Sequence, residues 1–255
     1  MMTSFTESLT TALQLVVALD STLVTIVARS LGESALACAL ACGVGLPLGA
    51  WLGVARFPGR ALVLTFLNTL LAVPSVVVGL VVYLLLSSSG PLGYLGWLFS
   101  FKAMVFAQSL LVLPVVTALT RQVVEDAANH HGEQLQSLGA GTLLRAGLLA
   151  SDERYALLTV TIAAFGRAIS EVGAVMIVGG NIEGFTRVMT TAIALETSKG
   201  DLPLALALGV LLLLVVLLLN ALIALIRYWR EGREGQGARA APHAADRAAT
   251  LGSAG

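Results

Sequence analysis

Residues 202–226, LPLALALGVLLLLVVLLLNALIALI, run without a single charge. About 20 mostly apolar residues suffice to cross the hydrocarbon of a bilayer. Inside it every backbone N–H and C=O needs a partner within the protein, which an α-helix supplies from its own chain. Four further stretches meet the same requirement: 31–54, 61–86, 97–120 and 155–180. The composition agrees. Charged residues make up 12% of the chain and apolar ones 57%, with a mean hydropathy of +0.89; soluble domains carry about 25% charge. The fold class expected is therefore all-α, a polytopic membrane helix bundle of about five transmembrane helices with no large soluble domain. The net charge is zero, so no overall field favours nucleic acid.

Residues 10–28 are a weaker stretch. Leu13, Val16, Val17, Ile26 and Val27 are apolar, but Asp20 interrupts them. An amphipathic segment at the membrane surface is the first reading and a sixth span the second. The N-terminus has no basic region and no small-residue cleavage site, so it does not read as a signal peptide. The chain divides into an external N-terminal segment (1–28), a transmembrane domain (29–227) and a tail (228–255). The tail is polar, rich in Gly and Ala, and too poor in apolar residues to be expected to fold.

Lys and Arg in short loops set orientation. With five spans, one side holds Arg56, Arg60, Arg121, Arg145, Arg154 and the tail arginines 227, 230, 233, 239 and 247. The other side holds Arg29, Arg187 and Lys199. The richer side is expected to be cytoplasmic, which puts the N-terminus outside and the C-terminus inside. The first three spans each contain a proline: Pro47, Pro74 and Pro114. Proline frees a carbonyl and kinks a helix. Three such kinks fit either a bundle with a cavity or moving part, or ordinary packing of spanning helices.

Arg167 and Glu171 lie within the fourth span. A charge near the bilayer centre costs about 3 kcal/mol on insertion scales, and such residues are functional candidates by default. Spaced four apart, the two can pair on one helical face. Ser170, Ala174 and Asn181 share that side, with Gly166 and Gly173 beside them, and small residues let another helix approach. The pair is expected to face the bundle interior as a pathway or gate group, as a clamp on helix register, or as both. Beyond the span, residues 181–203 form an external segment rich in hydroxyls: Thr186, Thr190, Thr191, Thr197 and Ser198, with Arg187. Neutral donors with one cation suit an ionised oxyanion.

Several chemistries lack their signatures. No G-x-x-x-x-G-K-[ST] occurs, and the only lysines are Lys102 and Lys199, so the chain has no Walker site for ATP. No H-E-x-x-H or G-x-S-x-G occurs. Cys38 and Cys42 read as small packing residues, and His130–His131 as a solvated polar turn. The chain is not expected to be an enzyme or to hold a metal or other cofactor.

The segment 121–154 is long for a connection between spans. It reads as one or two short helices, the first carrying Glu133, Leu135 and Leu138, with a break at Gly139–Ala140–Gly141. A short amphipathic helix there can press into a groove on a partner. Within it, EQLQSLGAG (133–141) resembles the E-A-A-x-x-x-G loop of permease subunits of ATP-binding-cassette importers. Glu133 and Gly139 match the motif, Gln134 and Leu135 replace its alanines, and the usual downstream Leu-Pro is missing. The GLPLG of the first span fits the same family. The longest match is FGRAISEVGAVMIVGGNIEGFTRVMTTAIALETSKGDLPLALALG (165–209). It resembles the oxyanion branch, in which molybdate and sulfate permeases show an arginine, then Glu-Phe-Gly, Gly-Asn and a threonine. The variant here, Glu-Val-Gly followed by Gly-Gly-Asn, is similar to the tungstate permeases. The resemblance spans residues of about 25 to 227.

That resemblance implies a homodimeric pathway in a bacterial inner membrane. Two separate ATPase subunits would dock on a cytoplasmic coupling helix at Glu133, Leu135, Leu138, Gly139 and Ala140, and a periplasmic or lipoprotein binding protein would deliver the anion. It places the pathway at Arg167, Ser170, Glu171, Gly173, Asn181, Thr186, Arg187, Thr190 and Thr191. The substrate implied is tungstate, with molybdate or sulfate as alternatives. A channel or secondary transporter working alone would show inverted repeats or broken helices. A membrane enzyme using Arg167 and Glu171 would need a further nucleophile or metal.

Overall fold

The computed structural model describes residues 21–252 together with Thr10 and Gln14. The side chains of Thr22, Glu133 and Arg227, and those from Trp229 onward, lie outside the described residues. Among the described residues, three helices are long and apolar enough to cross a membrane, and five segments if each of two bent pairs is taken as one span. The chain is an all-α, multi-pass membrane bundle.

Helix α1 (Ser21–Val54) and helix α4 (Phe101–Ser137) form the spine. Their contacts advance together along both sequences, from Ala37 at Ser109 to Gly53 at Val124, so they run parallel. Glycine every fourth residue allows this approach. A Cβ on Gly45 would lie 2.9 Å from Val116 Cγ1, and one on Gly49 would lie 2.5 Å from the Thr117 carbonyl oxygen. A Cβ on Gly53 would lie 3.0 Å from the Arg121 carbonyl oxygen. Lipid is as apolar as leucine, so close packing of small residues takes over the role that burial has in water. Cys38 and Cys42 are free thiols on this spine, their sulfurs 3.8 Å apart, set against Thr161. The expected surface segment 10–28 is not separate at its C-terminal end. Residues from Ser21 are the first turns of α1, and Leu23 and Ile26 are buried; most of residues 1–20 lies outside the described residues.

Two of the expected spans are broken. The second is α2 (Arg60–Ala72) and α3 (Ser75–Leu86), bent by 98°. Pro74 at the corner lacks an N–H, and Val73 before it is extended, as a residue preceding proline prefers to be. Pro47 and Pro114, in contrast, sit inside unbroken helices. The fourth is α6 (Arg154–Ile169) and α7 (Gly173–Gly179), bent by 57° with no proline. The second halves, α3 and α7, pack against each other and come closest at Gly79, where a Cβ would lie 2.7 Å from Ala174 Cα.

The 121–154 segment differs from the reading of one or two separate helices. Its first half continues α4 to Ser137; the break falls at Leu138–Gly141, where Gly139 takes a φ of +79°; α5 (Thr142–Asp152) follows. His130 lies in the continued helix and its ring N–H donates to the Asp126 carbonyl at 2.8 Å. Helix α8 (Met189–Lys199) and helix α9 (Leu202–Gly252) complete the chain. The backbone of the polar tail is helical to Gly252, where the sequence reading expects no structure; its alanines favour helix.

Candidate functional site

The break between α6 and α7 leaves backbone groups unpaired at membrane depth, and each must find a partner. Ala168, in the last turn of α6, offers its carbonyl to the amide of Glu171 at 3.0 Å and to the side-chain amide of Gln108 on α4. Glu171 completes the repair from the other side. Its Oε1 accepts from the backbone N–H groups of Gly173 at 2.9 Å and Ala174 at 3.4 Å, at the start of α7. Its Oε2 pairs with Arg167 Nη1 at 2.7 Å, and Ser75 at the start of α3 adds a hydrogen bond. Its carbonyl accepts from the Thr190 hydroxyl at 2.7 Å. Glu171, through its carboxylate and its backbone carbonyl, thus ties together α6, α7, α3 and α8. The Arg167–Glu171 pair forms as the spacing implies, although Glu171 lies past the helix end. Its members are unequal: the Arg167 side chain is 49% exposed and that of Glu171 4%.

The other sequence-predicted pathway residues sort by what holds them. Gly173 lets α7 close on α3, since a Cβ there would lie 2.8 Å from both Ser75 Oγ and Val76 Cγ2. Thr186, Thr190 and Thr191 do not line an open loop, whereas Thr197 and Ser198 are exposed on α8. Thr186 is buried; it donates to the Gly179 carbonyl at 2.6 Å and accepts from the Ile182 N–H at 2.9 Å. Thr191 is buried and bonds both backbone groups of Val188 at the start of α8. Asn181, at a φ of 51°, donates to the Thr191 carbonyl at 3.1 Å while its Oδ1 stays buried without a partner among the described residues. Ser170 bonds the carbonyls of Gly166 and Arg167, both at 3.1 Å. Arg187 lies 3.5 Å from Glu183 and 4.0 Å from buried Glu196, which also holds Lys199 at 3.0 Å.

Sequence reasoning missed three groups. Glu33 on α1 is 2% exposed and within electrostatic reach of Glu171. Ser34 donates to its Oε2 at 3.4 Å, and its Oε1 has no partner among the described residues. Ser30 accepts from the Met189 N–H at 2.7 Å and so fixes the start of α8 on α1. Gln108 holds the broken end of α6. Glu33 lies inside the first expected span, so the default that marked Arg167 and Glu171 applied to it too.

Of the coupling residues, Leu135 packs on the cluster formed by Ala50, Val54, Val124, Ala146 and Leu149. Leu138 is 82% exposed at the break with Gly139 and Ala140. Glu133 is in the helical backbone, its side chain outside the described residues.

No protein-family model matches the chain. It is 42% identical over 217 residues to a tungstate uptake system permease protein TupB from Peptoclostridium acidaminophilum, covering 85% of this chain and 95% of the relative. This chain belongs to the tungstate-uptake permease family of ABC importers. A probable anion ABC transporter permease protein from Haloferax volcanii is 43% identical over 78% of this chain and 88% of its own. A TupB permease from Campylobacter jejuni is 40% identical over 65% and 69%. Permeases named for sulfate and molybdenum transport in Escherichia coli match less of the chain, 54% at 38% identity and 61% at 31%. Within a permease of this family, the repaired break at Glu171 joins the two bent spans and α8 at one point.

Proposed function

We propose that the chain is the membrane subunit of an ATP-driven importer that takes up tungstate. Two copies would form the pathway in the cell membrane, with a separate ATPase and a substrate-binding protein as partners. The observation that carries the coupling half is the 121–154 arm. Beyond Gly132, where the third candidate span ends, it exposes Leu138, Leu143, Leu144 and Leu148, apolar side chains suited to a groove on the ATPase. The arginine count supports a cytoplasmic position for this arm. Glu133, Leu135, Leu138, Gly139 and Ala140 are the proposed docking residues.

Arg167, Ser170, Glu171, Gly173, Asn181, Thr186, Arg187, Thr190 and Thr191 are the proposed pathway and gate set. Most of them hold the broken backbone, so we assign them to the shape of the gate; direct contact with the anion falls to the exposed guanidinium of Arg167. The tungstate names of the Peptoclostridium acidaminophilum and Campylobacter jejuni relatives support that substrate over molybdate or sulfate. A transporter working alone also uses broken helices, but it has no use for an arm with an exposed leucine face.

The test is uptake. Cells with and without the chain receive tungstate and molybdate at equal low concentration, and both metals are read by mass spectrometry. Selective loss of tungsten without the chain is expected. Equal loss of both would make it a general oxyanion importer. No loss of either, or uptake that persists when the ATPase is deleted, would overturn the reading.

A further inference from the structure

A second polar site lies at the arm-bearing end of the bundle, apart from the Glu171 junction. Between the 54–60 connection, α4 and α5 is a cavity of about 360 Å³, joined through shared walls to one of about 350 Å³. Arg56, Arg60 and Arg145 line it, with Asn129, Gln136 and Thr142 as neutral hydrogen-bonding groups.

The charges there do not balance. Glu125 is the carboxylate in the lining. It is shared between Arg60, at 2.9 Å, and Arg121. Arg56 and Arg145 are in no ion pair among the described residues, and Asp126 next along α4 is exposed. The guanidiniums also have donors left over. Arg60 Nη2 reaches the Leu52 carbonyl at 3.2 Å, yet its Nε, like that of Arg145, is buried without an acceptor among the described residues. Arg145 Nη2 is positioned against α4, 3.4 Å from where a Cβ on Gly132 would lie. Guanidiniums converging from three elements on a concave, neutral-lined space bind planar or tetrahedral oxyanions in preference to water, because charge-assisted forked hydrogen bonds are the strong ones.

We infer that Arg56, Arg60 and Arg145 form a binding site for a tetrahedral oxyanion at the arm-bearing end of the bundle. The occupant is either a free anion such as tungstate or the phosphate of an anionic lipid headgroup. That this end faces the cytoplasm rests on the proposed function; the site itself does not.

The full-length chain, purified free of phosphate and sulfate, is reconstituted in neutral phosphatidylcholine nanodiscs and in phosphatidylglycerol nanodiscs. Each is dialysed against sodium tungstate and bound tungsten is read by mass spectrometry. Saturable binding is expected to weaken at least about tenfold in Arg56→Gln, and further in Arg56→Gln/Arg145→Gln. Lys102→Gln, which removes a charge stacked over Trp97 elsewhere, should bind normally. Binding in both lipids identifies a free anion; binding in the neutral lipid alone identifies the headgroup as the natural occupant. Arg56 is unpaired among the described residues, so its single variant keeps the test open if the double variant misfolds. Tungsten binding equal in wild type and Arg56→Gln, or absent in both lipids, overturns the site. So does loss of ATPase copurification in Arg56→Gln without any anion binding, which would make the cavity a protein contact. Cellular uptake that depends on the chain while dialysis finds no binding sinks the site and leaves the importer; binding without such uptake does the reverse.

Discussion

Gly49→Ala and Gly43→Ala, one methyl group each on the same helix, should have opposite consequences. Nothing lies within 4 Å of a Cβ built on Gly43. A Cβ on Gly49 would lie 2.5 Å from the Thr117 carbonyl oxygen and 2.7 Å from Thr120 Cβ. Carbon contacts are comfortable at about 3.5–4.0 Å, so α1 and α4 would have to part by about 1 Å. Overpacking of that kind costs about 1–3 kcal/mol. Both variants gain about 1 kcal/mol of helix propensity from alanine. That gain is common to the pair, so their difference isolates the overpacking, about 1–3 kcal/mol. Gly43→Ala should then be slightly more stable than the parent, and Gly49→Ala no more stable than the parent or less so. Trp51, stacked on Phe57 at 5.4 Å, sits two residues from Gly49 and reports locally. Its fluorescence and the far-ultraviolet circular dichroism would be followed as dodecyl sulfate is titrated into mixed micelles of the full-length chain. If Gly49→Ala is as stable as Gly43→Ala, the close parallel contact of α1 and α4 is not the spine of the folded protein.

Other substitutions test the junction and the arm. Glu171→Ala removes the acceptor of two α7 amides together with the Arg167 and Ser75 bonds, and should lower stability by about 2–3 kcal/mol in the same titration. Adding Arg167→Ala should change little further, because Arg167 is half exposed and α7 has already lost its cap; a double variant restored to parental stability would refute this. Ser30→Ala leaves the Met189 N–H without its acceptor and should cost about 1–3 kcal/mol; unchanged stability would mean α8 is not anchored on α1. Leu138→Asp should abolish copurification of the ATPase while membrane insertion, read by fractionation, stays normal. Glu133→Arg should weaken the same copurification, and retention of the ATPase in both would remove the arm from coupling.

The apolar stretches able to cross a membrane were legible because hydropathy over about 20 residues is set by the solvent and not by packing. The breaks were legible only in part. Pro74 marks its bend by a missing N–H, but Pro47 and Pro114 carry the same mark inside unbroken helices. The α6–α7 break has no such mark. Its signal is Glu171, a charge that hydropathy counts as a defect and that the fold uses as the acceptor for the amides the break frees. The i,i+4 spacing still identified the Arg167 partner because the chain keeps a near-helical course through Ser170 before it turns. Hydroxyl composition misdirected the reading of residues 181–203. Threonines that could serve a solvated ligand and threonines that satisfy backbone at membrane depth are the same residue. Only the positions of the Gly179 and Val188 groups reveal that Thr186 and Thr191 are committed to the backbone. A polar residue inside an apolar segment of a membrane chain is therefore best asked first which broken backbone it repairs. Glu33 has no such answer: among the described residues no backbone group holds it, and its Oε1 is buried without a partner beside the junction. By that criterion Glu33, more than Thr186 or Thr191, is the group whose replacement by glutamine should change transport while leaving the dodecyl sulfate unfolding curve in place, and a shifted curve with transport intact would assign it to the scaffold instead.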